Sequence, residues 1–324
     1  MRYLTILFFL PLLVTPQLVA QENLEGVKSF SFQLQDIDLV TLHELGFDLH
    51  VIDYSKDGSD RQAFSKSELA TLTASSKVVS YLSIGEAEDY RFYFKSKWIA
   101  DDGEAPCGVR TTKAAPKWLD KSNKNWCGNY KVRFWQRKWK RIIYGRRSGA
   151  RKSYLDRIID NGFDGVYLDI IDGYEYWGSK RRDSYPLYAK RMAKFVIELA
   201  NYARDKREKA NFIIIPQNGS GILEYLDQDL RSAYLSTIDG IGAEDSFFFG
   251  PKDIDNSYSP QELTIEWLRQ YISVGKPVLA IEYVSDPDYV SLARIAACTE
   301  GFLLQVAPRA LDSANSFAQF SCDA

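Results

Sequence analysis

Short hydrophobic runs alternate with amphipathic stretches along most of the chain. Runs that are rich in β-branched and aromatic residues and bounded by turn residues are typical of buried strands. Eight such runs occur, at 29–35, 48–54, 77–85, 166–171, 211–217, 238–244, 276–284 and 301–307. The intervening segments have helical spacing at 37–45, 65–75, 184–206, within 222–235, 259–274 and 287–299. Capping boxes at 65–68 and 259–262 support two of these helices.

Eight strands separated by helices predict an α/β fold, a (β/α)8 TIM barrel in a single domain. A doubly wound open sheet is the alternative, but it would carry a Gly-rich phosphate loop after an early strand, and the sequence has none. In a barrel, active sites lie at the carboxyl ends of the strands. The connection at 87–130 is far longer than usual and is predicted to be a functional, Trp-rich insertion after the third strand.

The N-terminal residues have the pattern of a secretory signal peptide. Arg2 precedes an apolar run at 3–14, and Ala20 precedes Gln21. We therefore expect a signal peptide at 1–20, a mature domain at 21–324, and an exported protein, periplasmic or secreted. A retained anchor is the alternative; the apolar run is short for a membrane span, so no stable anchor is expected.

Composition narrows the classes of function. With 45% hydrophobic residues and a formal net charge of -2, the chain is typical of a globular protein and not of a general nucleic-acid binder. Four cysteines in an oxidising compartment indicate disulfides, with three possible connectivities. We favour the sequence-local pairs Cys107–Cys127 and Cys298–Cys322. No Cys/His spacing indicates zinc, and no cofactor or metal is expected.

Only two histidines are present, His43 and His50, in a predicted helix and at the start of a predicted strand. A Ser-His-Asp or Cys-His mechanism needs a well-placed imidazole. We interpret both histidines as structural, which favours hydrolysis by carboxylates.

Asp169 lies inside the apolar run of the fourth strand, where an unpaired carboxylate costs several kcal/mol. Either a cation satisfies this residue or it lines a cavity where chemistry occurs. Further polar residues occur at or just after the predicted strand ends, with little Lys or Arg close in sequence to neutralise them. They are Asp53, Glu86, Glu88, Asp172, Gln217, Asn218, Glu244, Asp245, Glu282 and Asp286. Such a rim suits acid/base chemistry or a cationic ligand.

Five of the seven tryptophans lie within about forty residues. Trp98, Trp118 and Trp126 are candidates for stacking on sugar rings, with core packing as the alternative. Trp135 and Trp139, four residues apart, are interpreted as the core face of a helix. The basic residues at 131–152 could bind an anionic polymer, but the solvated face of a helix is the favoured interpretation.

The chain resembles glycoside hydrolase family 114, the endo-α-1,4-polygalactosaminidase-like TIM-barrel proteins, and their archaeal and thermophile relatives. The matching stretches are YLSIGEAEDYR (81–91), WCGNYKVRFW (126–135), GFDGVYLDIIDGYEYW (162–177), GIGAEDSFF (240–248) and the strand at 276–284. The resemblance implies that Asp169 and Glu244 are the catalytic pair. Glu86 and Asp172 match acidic pocket positions that have no assigned role.

The resulting hypothesis is an exported, endo-acting glycoside hydrolase that cleaves a polysaccharide by a two-carboxylate mechanism. The candidate substrate is an α-1,4-linked galactosamine-type polymer, because carboxylates attract free amines. The chain is expected to act as a monomer. A non-catalytic carbohydrate-binding barrel and a divalent-metal enzyme are the alternatives. The expected substrate-binding residues are Asp53, Glu86, Glu88, Asp172, Tyr174, Gln217, Asn218, Glu282, Trp98 and Trp126.

Overall fold

Strands and helices alternate along the chain in the order that the hydrophobic pattern predicts. A computed structural model describes residues 23–103, 107–149, 152–181, 184–314 and 322. The predicted signal peptide at 1–20 lies outside the described residues.

The described strands, numbered in chain order, comprise eight that form the parallel sheets and five short ones, β4 to β8, that follow the third strand. They are β1 (Phe30–Gln33), β2 (Leu49–Ile52), β3 (Lys77–Ser83), β4 (Glu86–Glu88), β5 (Ile99–Asp101), β6 (Val109–Thr111), β7 (Leu119–Ser122), β8 (Asn129–Val132), β9 (Gly165–Asp169), β10 (Ile213–Pro216), β11 (Ile241–Glu244), β12 (Val278–Glu282) and β13 (Leu303–Val306).

The α-helices, also in chain order, cover most of the segments predicted as helical. They are α1 (Leu39–Leu45), α2 (Lys66–Thr73), α3 (Arg137–Ile143), α4 (Tyr154–Asn161), α5 (Gly173–Lys180), α6 (Tyr185–Asn201), α7 (Gln228–Thr237), α8 (Glu262–Ile272) and α9 (Pro287–Glu300). Short 3-10 helices span Asp60–Gln62, Ser96–Trp98 and Ser220–Tyr225, and a π-helical segment, Tyr202–Lys206, extends α6.

Eight parallel strands form two sheets, which confirms an α/β architecture. One sheet has the order β1-β2-β3-β9-β10 and the other β11-β12-β13. An isolated parallel bridge between Gln217 and Gly242 connects the end of β10 to β11. On the other side, the amides of Leu34 and Gln35, after β1, both donate to the carbonyl of Leu311, which follows β13, at 2.8 and 3.0 Å. All carboxyl ends of the parallel strands in each sheet therefore point the same way.

Two groups of buried side chains stabilise this arrangement. The larger packs helices against strands, and the smaller draws its buried members from six of the eight parallel strands. Tyr167 of β9 belongs to the smaller group, and its hydroxyl lies 1.7 Å from where a Cβ on Gly242 of β11 would stand. Only glycine fits at 242, because any side chain there would collide with this ring.

Helix boundaries follow ordinary capping chemistry where the sequence indicates it. Ser65 and Glu68 form the predicted capping box of α2. Asp286 caps α9, which has Pro287 at its first position and ends at Gly301 in the left-handed conformation.

Three local predictions were wrong. Gln261, not Ser259, precedes α8, and its side chain makes no capping hydrogen bond; Ser259 instead forms a β-bridge with Phe248. The helix expected within 222–235 is divided, since a 3-10 helix at Ser220–Tyr225 precedes α7. Trp135 precedes α3, so it does not share a helix face with Trp139, although Trp139 is fully buried as expected.

The segment between β3 and α3 contains its own small sheets. Antiparallel strands pair in the orders β4-β8-β7 and β5-β6. The predicted disulfide Cys107–Cys127 ties this segment, and Cys298–Cys322 ties α9 to the C-terminal region; both predicted pairings are present in the structure. On α3, Arg137, Lys138 and Arg141 are exposed, which fits the interpretation of a solvated helix face.

Candidate active site

A cavity of about 720 Å³ opens at the carboxyl ends of the parallel strands. Residues from the ends of β2, β3, β9, β10 and β11 line it, together with loops that include 56–58, 123–129 and 309–311. The structure therefore brings most of the predicted site residues together in one cavity: Asp53, Glu86, Glu88, Trp126, Asp169, Asp172, Gln217, Asn218 and Glu244.

Asp169 is the last residue of β9 and has no cationic partner among the described ion pairs. Its carboxylate accepts hydrogen bonds from the Tyr81 hydroxyl at 2.6 Å and from the amide of Ile170 at 2.7 Å. Burial, and then the nearby charge of Glu244, raise the pKa of Asp169 well above its usual value. This carboxyl is therefore poised to hold a proton beside a second acid.

Glu244, the last residue of β11, is held from two sides. Asn218 donates through Nδ2 to the carboxylate at 2.9 Å and accepts the Glu244 amide through Oδ1 at 3.1 Å. The hydroxyl of Tyr283 donates to the other carboxylate oxygen. These contacts hold the Glu244 side chain in one orientation within the cavity before any ligand binds.

Each of the two tyrosines lies against a guanidinium group. Arg309 stacks on the Tyr283 ring with Cζ 3.7 Å from the centroid, and it forms two hydrogen bonds with Asp245 at 2.8 and 3.0 Å. Arg91 lies 6.0 Å from the centroid of the Tyr81 ring. Asp169 and Glu244 thus each accept a hydrogen bond from a tyrosine hydroxyl. The ring of each tyrosine is near an arginine that is itself paired with an acid.

The chain turns sharply at the three strand ends that carry these residues. Ile170, Asn218 and Asp245 all have positive φ values, of 59, 59 and 53°. For a β-branched residue such as Ile170 this conformation costs about 1–3 kcal/mol. A Cβ on Gly85 would lie 2.2 Å from the Ile170 carbonyl, so glycine at 85 permits the turn that places Asp169.

Asp172 is an exposed side chain within the same cavity, and no described residue donates a hydrogen bond to its carboxylate. The surrounding walls limit its hydration, and Glu175 lies nearby; both raise the pKa of Asp172 to about 6. Its carboxylate is therefore accessible to a ligand and titrates in a mildly acidic range.

Three other predicted acids of the rim, Asp53, Glu86 and Glu88, have cationic partners, so the expectation of little neutralising Lys or Arg was wrong for them. Arg91 binds Asp53 at 2.6 Å and Glu88 at 2.7 Å, with all three side chains buried. Glu86 is buried and binds Lys131 and the Asn123 amide. Only the Arg91–Glu88 pair is local in sequence and could have been foreseen, because its members are three residues apart. Asp53 and Glu86 pair with cations that lie far from them along the chain.

Three predicted substrate-binding residues lie outside the cavity lining. Trp98 packs edge-on against Phe94 and Trp118. Tyr174 is buried against Tyr225 and donates to Glu175. Glu282 is fully buried and accepts the amides of Phe247 and Phe248.

Residue alternation could have found the two tyrosines that the prediction missed. Side chains two residues apart along a strand point to the same face of the sheet. Tyr81 therefore points to the same face as Val79, and Tyr283 points to the face opposite to that of Glu282. Arg309 carries no such signal, because it belongs to a loop after β13.

Trp126, by contrast, was predicted and is 56% exposed on the cavity wall. Both histidines lie outside the lining, and His50 bonds Ser31.

Within the part of the chain that the structure describes, no helix has the length and apolar character needed to cross a bilayer. Within the same residues, no three His, Cys, Asp or Glu side chains are arranged to hold a metal ion.

Sequence comparison connects the chain to a family and to two relatives. The model of glycoside-hydrolase family GH114 matches residues 15–321. The uncharacterized protein MJ1477 of Methanocaldococcus jannaschii is 39% identical over 258 residues, which are 79% of this chain and 66% of that protein. An uncharacterized protein of Thermotoga maritima is 38% identical over 256 residues, 79% of this chain and 70% of that protein. The chain thus spans about two thirds of the length of these relatives.

Structural comparison gives a similar fold. The glycoside hydrolase domain of PelA from Pseudomonas aeruginosa superimposes with a TM-score of 0.56 at 16% identity, covering 89% of this chain and 97% of that domain. At this identity the likeness concerns the fold, that of TIM-barrel glycosidases.

Proposed function

The chain belongs to glycoside-hydrolase family GH114, a family of glycosidases, and on that premise we propose an exported, endo-acting hydrolase of an amine-bearing polysaccharide. The proposal includes a closed (β/α)8 barrel with Asp169 and Glu244 as its catalytic pair. The observation that carries it is that these two unpaired carboxyls share one cavity at strand ends, each oriented by a tyrosine hydroxyl.

Two carboxyls that interact across a cavity meet the chemical needs of glycoside hydrolysis. Burial, and then the nearby charge of Glu244, raise the pKa of Asp169, which favours a protonated Asp169 beside Glu244. The protonated member protonates the glycosidic oxygen as the bond to the leaving sugar breaks. The ionised member attacks the anomeric carbon or activates a water molecule, across an oxocarbenium-like transition state.

The charge of the cavity supports the substrate class. Eight carboxyl groups but three cationic side chains belong to the lining residues. Asp172 is exposed among them and has no cationic partner in the described ion pairs, so an ammonium group of the substrate can approach it. A cavity wall with an excess of negative charge concentrates positively charged ligands. An α-1,4-linked galactosamine-type polymer has the required amines.

Two variants test the catalytic pair against a matched control. We expect Asp169→Asn and Glu244→Gln each to lower the release of reducing ends from galactosamine polymer by about a hundredfold to ten-thousandfold. Asp57→Asn is the control, because Asp57 lines the same cavity but its described hydrogen bonds are to the nearby Ser59 and not to the proposed pair. Its activity should stay within about threefold of wild type.

Other outcomes separate the alternatives. Activity above a tenth of wild type in either folded variant would exclude that residue from the pair. Binding of the polymer by wild type without any release of reducing ends would favour the non-catalytic carbohydrate-binding barrel. Export is tested separately, by mass spectrometry of the protein recovered outside the cytoplasm; the expected mature N-terminus is Gln21.

A further inference from the structure

Tyr90 presents an aromatic ring on the wall of the cavity. It lines the cavity and is 49% exposed, whereas Tyr81, which bonds Asp169, is 7% exposed. Tyr90 and Trp126 therefore both present exposed aromatic surface to a cavity in which many of the other lining residues carry charged or amide groups. Neither the catalytic pair nor the acidic rim accounts for this surface.

The remaining sides of Tyr90 are held in place. Its hydroxyl donates to Glu88 at 2.6 Å, and the Arg91 guanidinium lies 4.6 Å from the centroid of its ring. The ring edge fits against Gly58, where a Cβ would lie 2.5 Å from two ring carbons. Gly58 also has a φ of 78°, so a side chain there would be disfavoured on two grounds.

The support beneath the ring is itself rigid. Arg91 is buried and binds Asp53 through two nitrogens, at 2.6 and 2.9 Å, and Glu88 at 2.7 Å. The guanidinium so held also faces the Tyr90 ring. A ring held in this way loses little conformational freedom when a ligand covers it, so more of the contact energy contributes to affinity.

We propose that Tyr90 is a stacking platform for a pyranose ring of the substrate, and that the Arg91, Asp53 and Glu88 group holds it in position. One face of a pyranose presents C–H groups, which pack on an aromatic ring, while the hydroxyls of the sugar point outward to polar groups. The proposal rests on the proposed function, because it takes the ligand of the cavity to be a glycan. It assigns Asp53 and Glu88 a positioning role in place of direct contact with substrate.

Binding to an inactivated background tests the platform without cleavage of the ligand. Isothermal titration calorimetry on Glu244→Gln would use α-1,4-linked galactosamine hexamer, its N-acetylated form and a neutral α-1,4-glucan hexamer. Adding Tyr90→Leu should weaken binding of the preferred hexamer about tenfold, which corresponds to about 1.4 kcal/mol. Adding Tyr90→Phe, which keeps the ring, should weaken it by no more than about threefold.

A tyrosine outside the cavity supplies the control. Tyr258 is 44% exposed and is not part of the lining, so Tyr258→Leu should leave the dissociation constant unchanged. Urea unfolding of each variant checks that the fold persists.

The outcomes distinguish this proposal from the proposed function. Unchanged affinity in Tyr90→Leu would overturn the platform and leave the catalytic proposal standing. A loss confined to the free-amine hexamer, with the N-acetylated hexamer unaffected, would overturn stacking in favour of an ammonium contact. Binding of the neutral hexamer that is lost in Tyr90→Leu, without cleavage of any amino-sugar polymer by wild type, would support the platform and refute the substrate class.

Discussion

The buried group of Arg91, Asp53 and Glu88 makes a sharp prediction about stability. The two acids are 4% and 1% exposed and the arginine 2%. Replacing Arg91 with methionine fills similar space but leaves two carboxylates buried without their cation. Breaking a buried pair in this way costs about 3–5 kcal/mol. Since domains have a total stability of about 5–15 kcal/mol, the variant should fold but unfold at a much lower urea concentration.

The cause of that loss can be separated from a simple packing defect. An isolated buried carboxyl takes up a proton at higher pH than an exposed one, because burial disfavours its charged form. The folded state of Arg91→Met therefore binds more protons than its unfolded state, and its deficit relative to wild type should shrink as the pH falls from 7 to 4. The triple variant Arg91→Met, Asp53→Asn, Glu88→Gln should recover most of the lost stability at pH 7.

Urea unfolding followed by tryptophan fluorescence, with m-values compared, measures both effects. A loss below about 1 kcal/mol in Arg91→Met would refute the assignment of an essential cation. A deficit that is the same at pH 4 and pH 7, or that the triple variant does not relieve, would show that packing rather than charge is responsible.

Two predictions concern pH. Burial lowers the pKa of His50 to about 4 from 6.5, so the unfolded state binds the extra proton and stability should fall by about 3 kcal/mol as the pH drops from 6.5 to 4. His50→Gln should flatten this part of the urea-unfolding profile, and an unchanged slope would contradict the assignment. The pKa of Asp172 is raised to about 6, so its charge, and kcat/KM for galactosamine oligomers, should increase as the pH rises through 6. The ratio of wild-type to Asp172→Asn activity should be larger at pH 7 than at pH 5; a constant ratio would exclude Asp172 from binding the amine.

The parallel strands were predictable because each is a short apolar run between turn residues. All eight overlap the expected ranges, and strand ends differ from prediction by a few residues. The capping box of α2 was also predictable, since Ser65 and Glu68 make their reciprocal contacts within the first turn of the helix. At 259–262 the same pattern failed, because Ser259 pairs with Phe248 in a bridge and a tertiary contact overrides the local preference.

The site was predictable where strand position determines it, and less so where long-range pairing does. Asp169 and Glu244 were found because each ends a strand that the hydrophobic pattern identifies. Glu282 occupies a similar position in sequence, yet its carboxylate is used by two backbone amides of the loop after β11. No spacing in the chain distinguishes an acid that binds a loop from one that faces a cavity.

The contacts of Arg309 could not be predicted from the local sequence either. Its partner Asp245 is 64 residues earlier in the chain, so local patterns contain no sign of their contact. Tyr283 bonds Glu244 across 39 residues in the same way. Such pairs depend on the closeness of strand ends in space, which follows from the fold and not from neighbouring residues.

The location of Arg309 after β13 also affects when a new chain becomes competent. Synthesis proceeds from the N-terminus, so both proposed catalytic acids leave the ribosome before the guanidinium that packs on the Tyr283 ring. A nascent chain that has reached Glu244 but not residue 309 lacks the support on that side of the cavity. The residue that packs on the Tyr283 ring is thus among the last of the cavity lining to be synthesised, after the last parallel strand.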